Sequence, residues 1–129
     1  MDHNRKPFPD IRQRTFEYAS RVIKLYQALE VGDQGAGRVL SRQLLRSATS
    51  IGANIEEAQS AESRRDFIHK LTIAQKEARE SLYWLRLIEK SKIIPPKRLG
   101  LLIQETDEIT AVITAIILST KKNLKGPRS

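Results

Sequence analysis

Few side chains in this 129-residue chain have the type and spacing to do chemistry. Asp66 and His69 stand three apart, the spacing of one half-site in a di-iron four-helix bundle. Such a centre needs two half-sites of this kind and further carboxylates from the other helices. The other histidine is His3, outside any helical pattern, so the second half-site is missing and neither a metal nor a cofactor is expected. Ser50, Ser81 and Ser91 have no base in a recognisable nucleophile arrangement. Glu56 and Glu57 are neighbours, so on a helix they diverge by about 100° and form no acid/base pair. The run GDQGAG at 32–37 lacks the G-x-G-x-x-G spacing and follows a helical pattern, where a phosphate cradle follows a strand. The chain has no cysteine, which excludes disulfides, Cys-ligated metals and thiol catalysis. No enzyme is expected, and no catalytic residue is assigned.

Two stripes on one segment are better candidates for binding. Arg38, Arg42 and Arg46 lie four apart, and none has an acidic residue three or four positions away. They read as a basic ridge: a solvated face, an intersubunit salt bridge, or a phosphate contact. Arg64, Arg65, Lys121, Lys122 and Lys125 add cations near expected helix ends. Beside the ridge, Gln43, Ser47, Ser50, Asn54 and Glu57 step by four, three, four and three. This small, polar seam suits close helix packing with hydrogen bonds across it, within a subunit or between subunits. A ligand groove is the other reading of the same stripe.

These residues must be positioned by helices. Phe16, Ala19, Ile23 and Tyr26, with Val22 and Leu29 beside them, predict an apolar stripe over about 11–29. Asp10 and Gln13 resemble a capping box, with Pro7 and Pro9 holding an arm of residues 1–10 outside the helix. EVGDQGAG, 30–37, reads as a loop. Leu44, Ala48, Ile51, Ile55 and Ala58 predict a second helix, about 38–59. Ser63 before Asp66 is an N-cap signal for a third, whose stripe is Phe67, Leu71, Ala74, Ala78, Leu82, Leu85 and Ile88. Pro95 and Pro96 end it, and Pro96 suits the first turn of the fourth. That helix carries Leu99, Leu102, Ile103, Thr106, Ile109, Ile113, Ile116 and Ile117 and ends near Lys122, before a basic tail at 123–129. The expectation is one all-α domain, an antiparallel up-down-up-down four-helix bundle.

The run ITAVITAIIL, 109–118, is apolar or Thr at every position, and LYWLRLI, 82–88, is nearly as broad. Helices apolar on more than one side have more than one partner, so Trp84, Ile109, Val112, Ile113 and Ile116 are expected in a homo-oligomer interface. No apolar run reaches the roughly 18 residues of a membrane span, and the start MDHNRKPFPD has no apolar signal core. A cytoplasmic protein with no membrane partner is expected. Lys and Arg outnumber Asp and Glu 23 to 15, and a net charge of +8 favours anionic partners such as RNA or DNA.

The segment Gln43–Ile55, QLLRSATSIGANI, resembles the most characteristic stretch of the 23S rRNA-intervening sequence protein family. TFEYA at 15–19, DFIHKL at 66–71 and IAQKEARESLYWL at 73–85 resemble its other helices in the right order, and the likeness spans about 10–122. The family's usual Asn-Ile-Ala-Glu-Gly stands here as Asn54-Ile55-Glu56-Glu57-Ala58, without the glycine. The resemblance implies an antiparallel four-helix bundle and a ring-like homopentamer, in a family with no established catalytic activity. A distantly similar group serves diversity-generating retroelements by binding nucleic acid and a reverse transcriptase. By analogy at the level of fold, this gives a second expectation, a basic nucleic-acid-binding accessory protein for structured RNA.

Overall fold

The computed structural model describes residues 7–32 and 35–124. They form four helices: α1 (Pro7–Gly32), α2 (Ala36–Gln59), α3 (Arg64–Lys90) and α4 (Pro96–Leu124). Among the described residues there is no strand. Helices consecutive in the chain pack side by side, and α4 closes on α1. Short connections and this cyclic order make the expected up-down-up-down bundle. α2 and α3 pack most extensively, and α1 and α4 least.

The apolar stripes explain this arrangement, with one correction. On α2, Leu44, Ala48, Ile51, Ile55 and Ala58 are all buried, as their heptad spacing predicts. On α3, Leu71, Ala74, Ala78, Leu85 and Ile88 are buried, while Ser81 takes the inner position expected for Leu82. On α1 the inner stripe is Ile11, Thr15, Tyr18, Val22, Leu25 and Leu29. Phe16 is 72% exposed and Ile23 41%. The stripe expected from Phe16 and Ile23 therefore faces outward. Two stripes of heptad spacing run along α1, and the inner one was masked because it includes a Thr and a Tyr.

The Tyr18 and Thr106 hydroxyls meet at 2.7 Å inside the bundle, and those of Ser47 and Ser81 at 2.8 Å. Each helix thus contributes one hydroxyl to a buried polar layer. Thr106 also donates to the Leu102 carbonyl, and Ser81 to that of Glu77. Such pairs satisfy buried polar atoms only in one register, so sliding a helix would leave them unpaired.

Helix ends follow local chemistry. Ser63 caps α3 by accepting from the Asp66 N–H at 3.0 Å, while the Asp66 carboxylate accepts from the Glu62 N–H. Lys92, at φ 55, turns the chain out of α3, and Pro96 opens α4. α1 begins at Pro7, so both prolines lie in its first turn, where no N–H is needed for the ladder. Asp10 therefore lies inside the helix, in its first turn, and the Gln13 amide donates to Glu17. The loop expected at 30–37 is shorter, because α1 runs through Gly32 and α2 starts at Ala36.

Candidate functional site

The polar seam of α2 faces α3 within the same chain. Ser47 is fully buried against Ser81, Glu57 lies 3.8 Å from the Lys70 ammonium, and the Asn54 amide donates to the Ser50 carbonyl. Ser50 donates to the Arg46 carbonyl, and Gln43 is exposed at the seam's edge. Small residues here allow the extensive α2–α3 approach. Ala58, where the family usually has glycine, fits inside with its side chain buried.

The ridge expected from Arg38, Arg42 and Arg46 does not act as one surface. Arg46 crosses to α3, where it binds Glu80 and lies 3.7 Å from Glu77. A helix-internal count finds no partner for it because its partners are 31 and 34 residues away. Arg42 is exposed and Arg38 half-buried, and neither has an ion pair among the described residues. Both lie near the start of α2, whereas Arg64 and Arg65 open α3 and Lys121 and Lys122 close α4. In the antiparallel bundle those are opposite ends. Lys125 lies outside the described residues.

Glu80 organises an aromatic pair. Its carboxylate takes the Trp84 indole N–H at 3.0 Å as well as the Arg46 guanidinium. The indole bond first, then the Arg46 bond and charge, hold it below the usual carboxylate range. Trp84 meets Tyr83 edge to face, with ring centroids 5.1 Å apart. Tyr83 stands 57% exposed beside it. Trp84 is half-buried against the core and held from within the chain by Glu80. Ile109 and Ile113 are fully buried, Ile116 nearly so, and Val112 packs on the same core. Of the α4 residues expected in an interface, Ile109, Ile113 and Ile116 lie in the bundle interior, and Val112 is half-buried. α4 exposes Leu101 near its start, 69% exposed, and Ala111, Ala115 and Leu118 further along, the last 61% exposed.

The α1–α2 side carries the second apolar surface. Phe16 and Ala19 flank a shallow groove of about 150 Å³ floored by Thr49, Gly52 and Ala53. Arg12 closes one end, its Nε and Nη2 donating to the two Glu56 carboxylate oxygens and its Nη1 to Gln59. That pairing holds the Glu56 carboxyl below its usual range. On the α1–α4 side, Arg14 and Arg21 pair with Glu105 and Glu108.

A different basic feature emerges on α3. Arg65, His69, Thr72, Lys76, Arg79, Tyr83, Arg86 and Lys90 recur at steps of four and three along its whole length. All but half-buried Thr72 are exposed. Asp66, Glu77 and Glu80 are engaged elsewhere, in the N-cap and with Arg46, which leaves Glu89 as the other α3 carboxylate. Among the described residues none of the five Lys and Arg side chains in the stripe forms an ion pair. The spacing was legible in the sequence, and the pairing of the acids on one edge was not. His69 sits exposed in this stripe, and among the described residues no three His, Cys, Asp or Glu side chains form a group that could hold a metal. Nor is any helix there long and apolar enough to cross a membrane.

The architecture is that of antiparallel four-helix bundle proteins with a polar seam between the second and third helices. The family described as 23S rRNA-intervening sequence protein matches residues 9–115, and the chain belongs to that family. A crystal structure of a protein with unknown function from the S23 ribosomal protein family of Bacteroides thetaiotaomicron is similar at a TM-score of 0.80 and 39% identity. The match covers 87% of this chain and 98% of that one. No curated protein matches the chain.

Proposed function

We propose that this protein is a non-catalytic, self-associating helical module that works in the cytoplasm. One observation carries the reading: Phe16, 72% exposed, with Ile23 on the same outward stripe and a groove of small residues beside it. An aromatic ring left in water on an ordered helix, next to space for a side chain, suits a protein contact. The partner is a second copy. Ala111, Ala115 and Leu118 of α4 offer an exposed apolar surface on a helix outside the α1–α2 groove. Contact between two different patches is head to tail, and closes into a ring when the rotation allows. A homopentamer is the ring the family resemblance points to. Sedimentation of the wild type and of Phe16→Asp tests this: the wild type should sediment as a closed oligomer and the variant as a folded monomer. A wild-type monomer at micromolar concentration would overturn it.

A second reading has its own support. The +8 charge of each chain, repeated around a ring, builds a field that attracts polyanions. On this reading the protein is an accessory to nucleic acid, RNA or DNA, and binds it mainly through the phosphate backbone.

A further inference from the structure

We propose that the outward edge of α3 is a binding track for single-stranded nucleic acid, with Tyr83 as its base-stacking platform. The inference rests on the nucleic-acid reading above and gives it a site. The stripe of Arg65, Lys76, Arg79, Arg86 and Lys90 runs the length of one helix, roughly 38 Å at 1.5 Å per residue. Its side chains are exposed, and no ion pair among the described residues uses them. Neutralising them takes an anion that is itself linear and repeating. A polynucleotide backbone has that form, and its counterions are released when the cations replace them.

Tyr83 decides between single and double strands. It interrupts the cations as an exposed ring, braced edge-on by Trp84, which Glu80 fixes from below. An aromatic face amid cations is the arrangement by which single strands are held, because their bases are free to stack. In a duplex the bases are stacked on one another and out of reach of a ring on a flat bundle face. Arg46 belongs to this site as a positioning residue: it holds Glu80, which holds Trp84. The stripe's cations meet the phosphate backbone that RNA and DNA share, so both strands should bind.

Fluorescence anisotropy with labelled oligouridylate and oligothymidylate of roughly 20 nucleotides tests the track in the assembled wild-type protein. With about five phosphates neutralised per track, affinity should fall roughly 100-fold between 50 and 200 mM salt. Lys76→Gln/Arg79→Gln should flatten that salt slope, and Tyr83→Ala should weaken single-strand binding about tenfold or more. Arg42→Gln should change neither. Circular dichroism and sedimentation should show both α3 variants folded and assembled like the wild type, since these side chains lie outside the core. If the wild type binds no nucleic acid at low salt, the nucleic-acid reading fails and the track with it. If the wild type binds and the α3 variants bind equally well, the reading stands and the track is wrong. Equal binding to duplex DNA with no effect of Tyr83→Ala would overturn the stacking role. Tighter binding to anionic phospholipid vesicles than to either oligonucleotide would assign the stripe to a membrane surface and overturn the proposal.

Discussion

The two edges of α3 draw on the same residue types and treat them oppositely. On the edge toward α2, Glu77 and Glu80 meet Arg46, Lys70 meets Glu57, and Ser81 meets Ser47. On the outward edge Lys76, Arg79 and Arg86 meet no carboxylate among the described residues. Charge pairing here follows which way a residue faces in the bundle, since residues one position apart, such as Lys76 and Glu77, fall on different edges. The inner edge stores its polar groups in fixed pairs, and the outer edge keeps its cations available. The first specifies a structure and the second can recruit a partner.

The comparison breaks most easily at the core. Leu85 is fully buried on the inner side of α3, and Leu85→Ala should cost roughly 2–5 kcal/mol in urea unfolding. Tyr83→Ala, two residues away but exposed, should stay within about 0.5 kcal/mol of wild type. Similar losses at the two positions would mean that the outward ring is structural.

A smaller effect is expected in the buried polar layer. Burial, more than any other influence, raises the Tyr18 phenol to about 12, against its Thr106 bond. A raised acid is neutral in the folded state and ionised sooner in the unfolded one. Its contribution is therefore present below pH about 10 and is lost as pH rises toward 12. Tyr18→Phe should cost about 1 kcal/mol at neutral pH and remove that part of the alkaline loss, as read by thermal melts.

At acid pH the sign reverses. Glu56, Glu80 and Glu108 are held below their usual range by the bonds they accept, from Arg12, from Trp84 and Arg46, and from Arg14 and Gln104. Their contribution is present above the ordinary glutamate range, about 4.3, and is lost as pH falls through their lowered values. Trp84 fluorescence should hold steady down to that range and shift only below it. In Glu80→Ala the acid-range shift should vanish, because the indole has already lost its partner.

The smallest expected change is a gain. A Cβ at Gly52 would sit 3.5 Å from the Thr15 carbonyl and hydroxyl oxygens, ordinary contact distance. Gly52→Ala should therefore stabilise the bundle by about 0.5–1 kcal/mol through the unfolded chain's lost freedom. Loss of stability, or of assembly, would show that the α1–α2 groove needs the bare backbone.

Much of the fold was legible in residue order. The α2 stripe Leu44 to Ala58, the Ser63 cap and the helix start at Pro96 each rest on chemistry within a turn or two. The candidate surfaces were less legible. Ile109 and Ile113 looked like a surplus for an interface because their run is apolar at every position, yet each position still has one direction, and theirs is inward. Phe16 and Tyr18 show the same limit in reverse. Both fit a heptad stripe on α1, and hydrophobicity favours Phe16, but Tyr18 is the one inside because Thr106 of α4 supplies a partner for its hydroxyl.

Residue order alone thus settled the four helices, the starts of α3 and α4 and the antiparallel order, because periodicity, caps and prolines act over distances the chain keeps short. The tertiary structure decided which of two stripes faces inward, that the α2 seam closes on α3, and which cations remain unpaired. Those outcomes depend on contacts such as Arg46 with Glu80 and Tyr18 with Thr106, 34 and 88 residues apart, which no local pattern encodes.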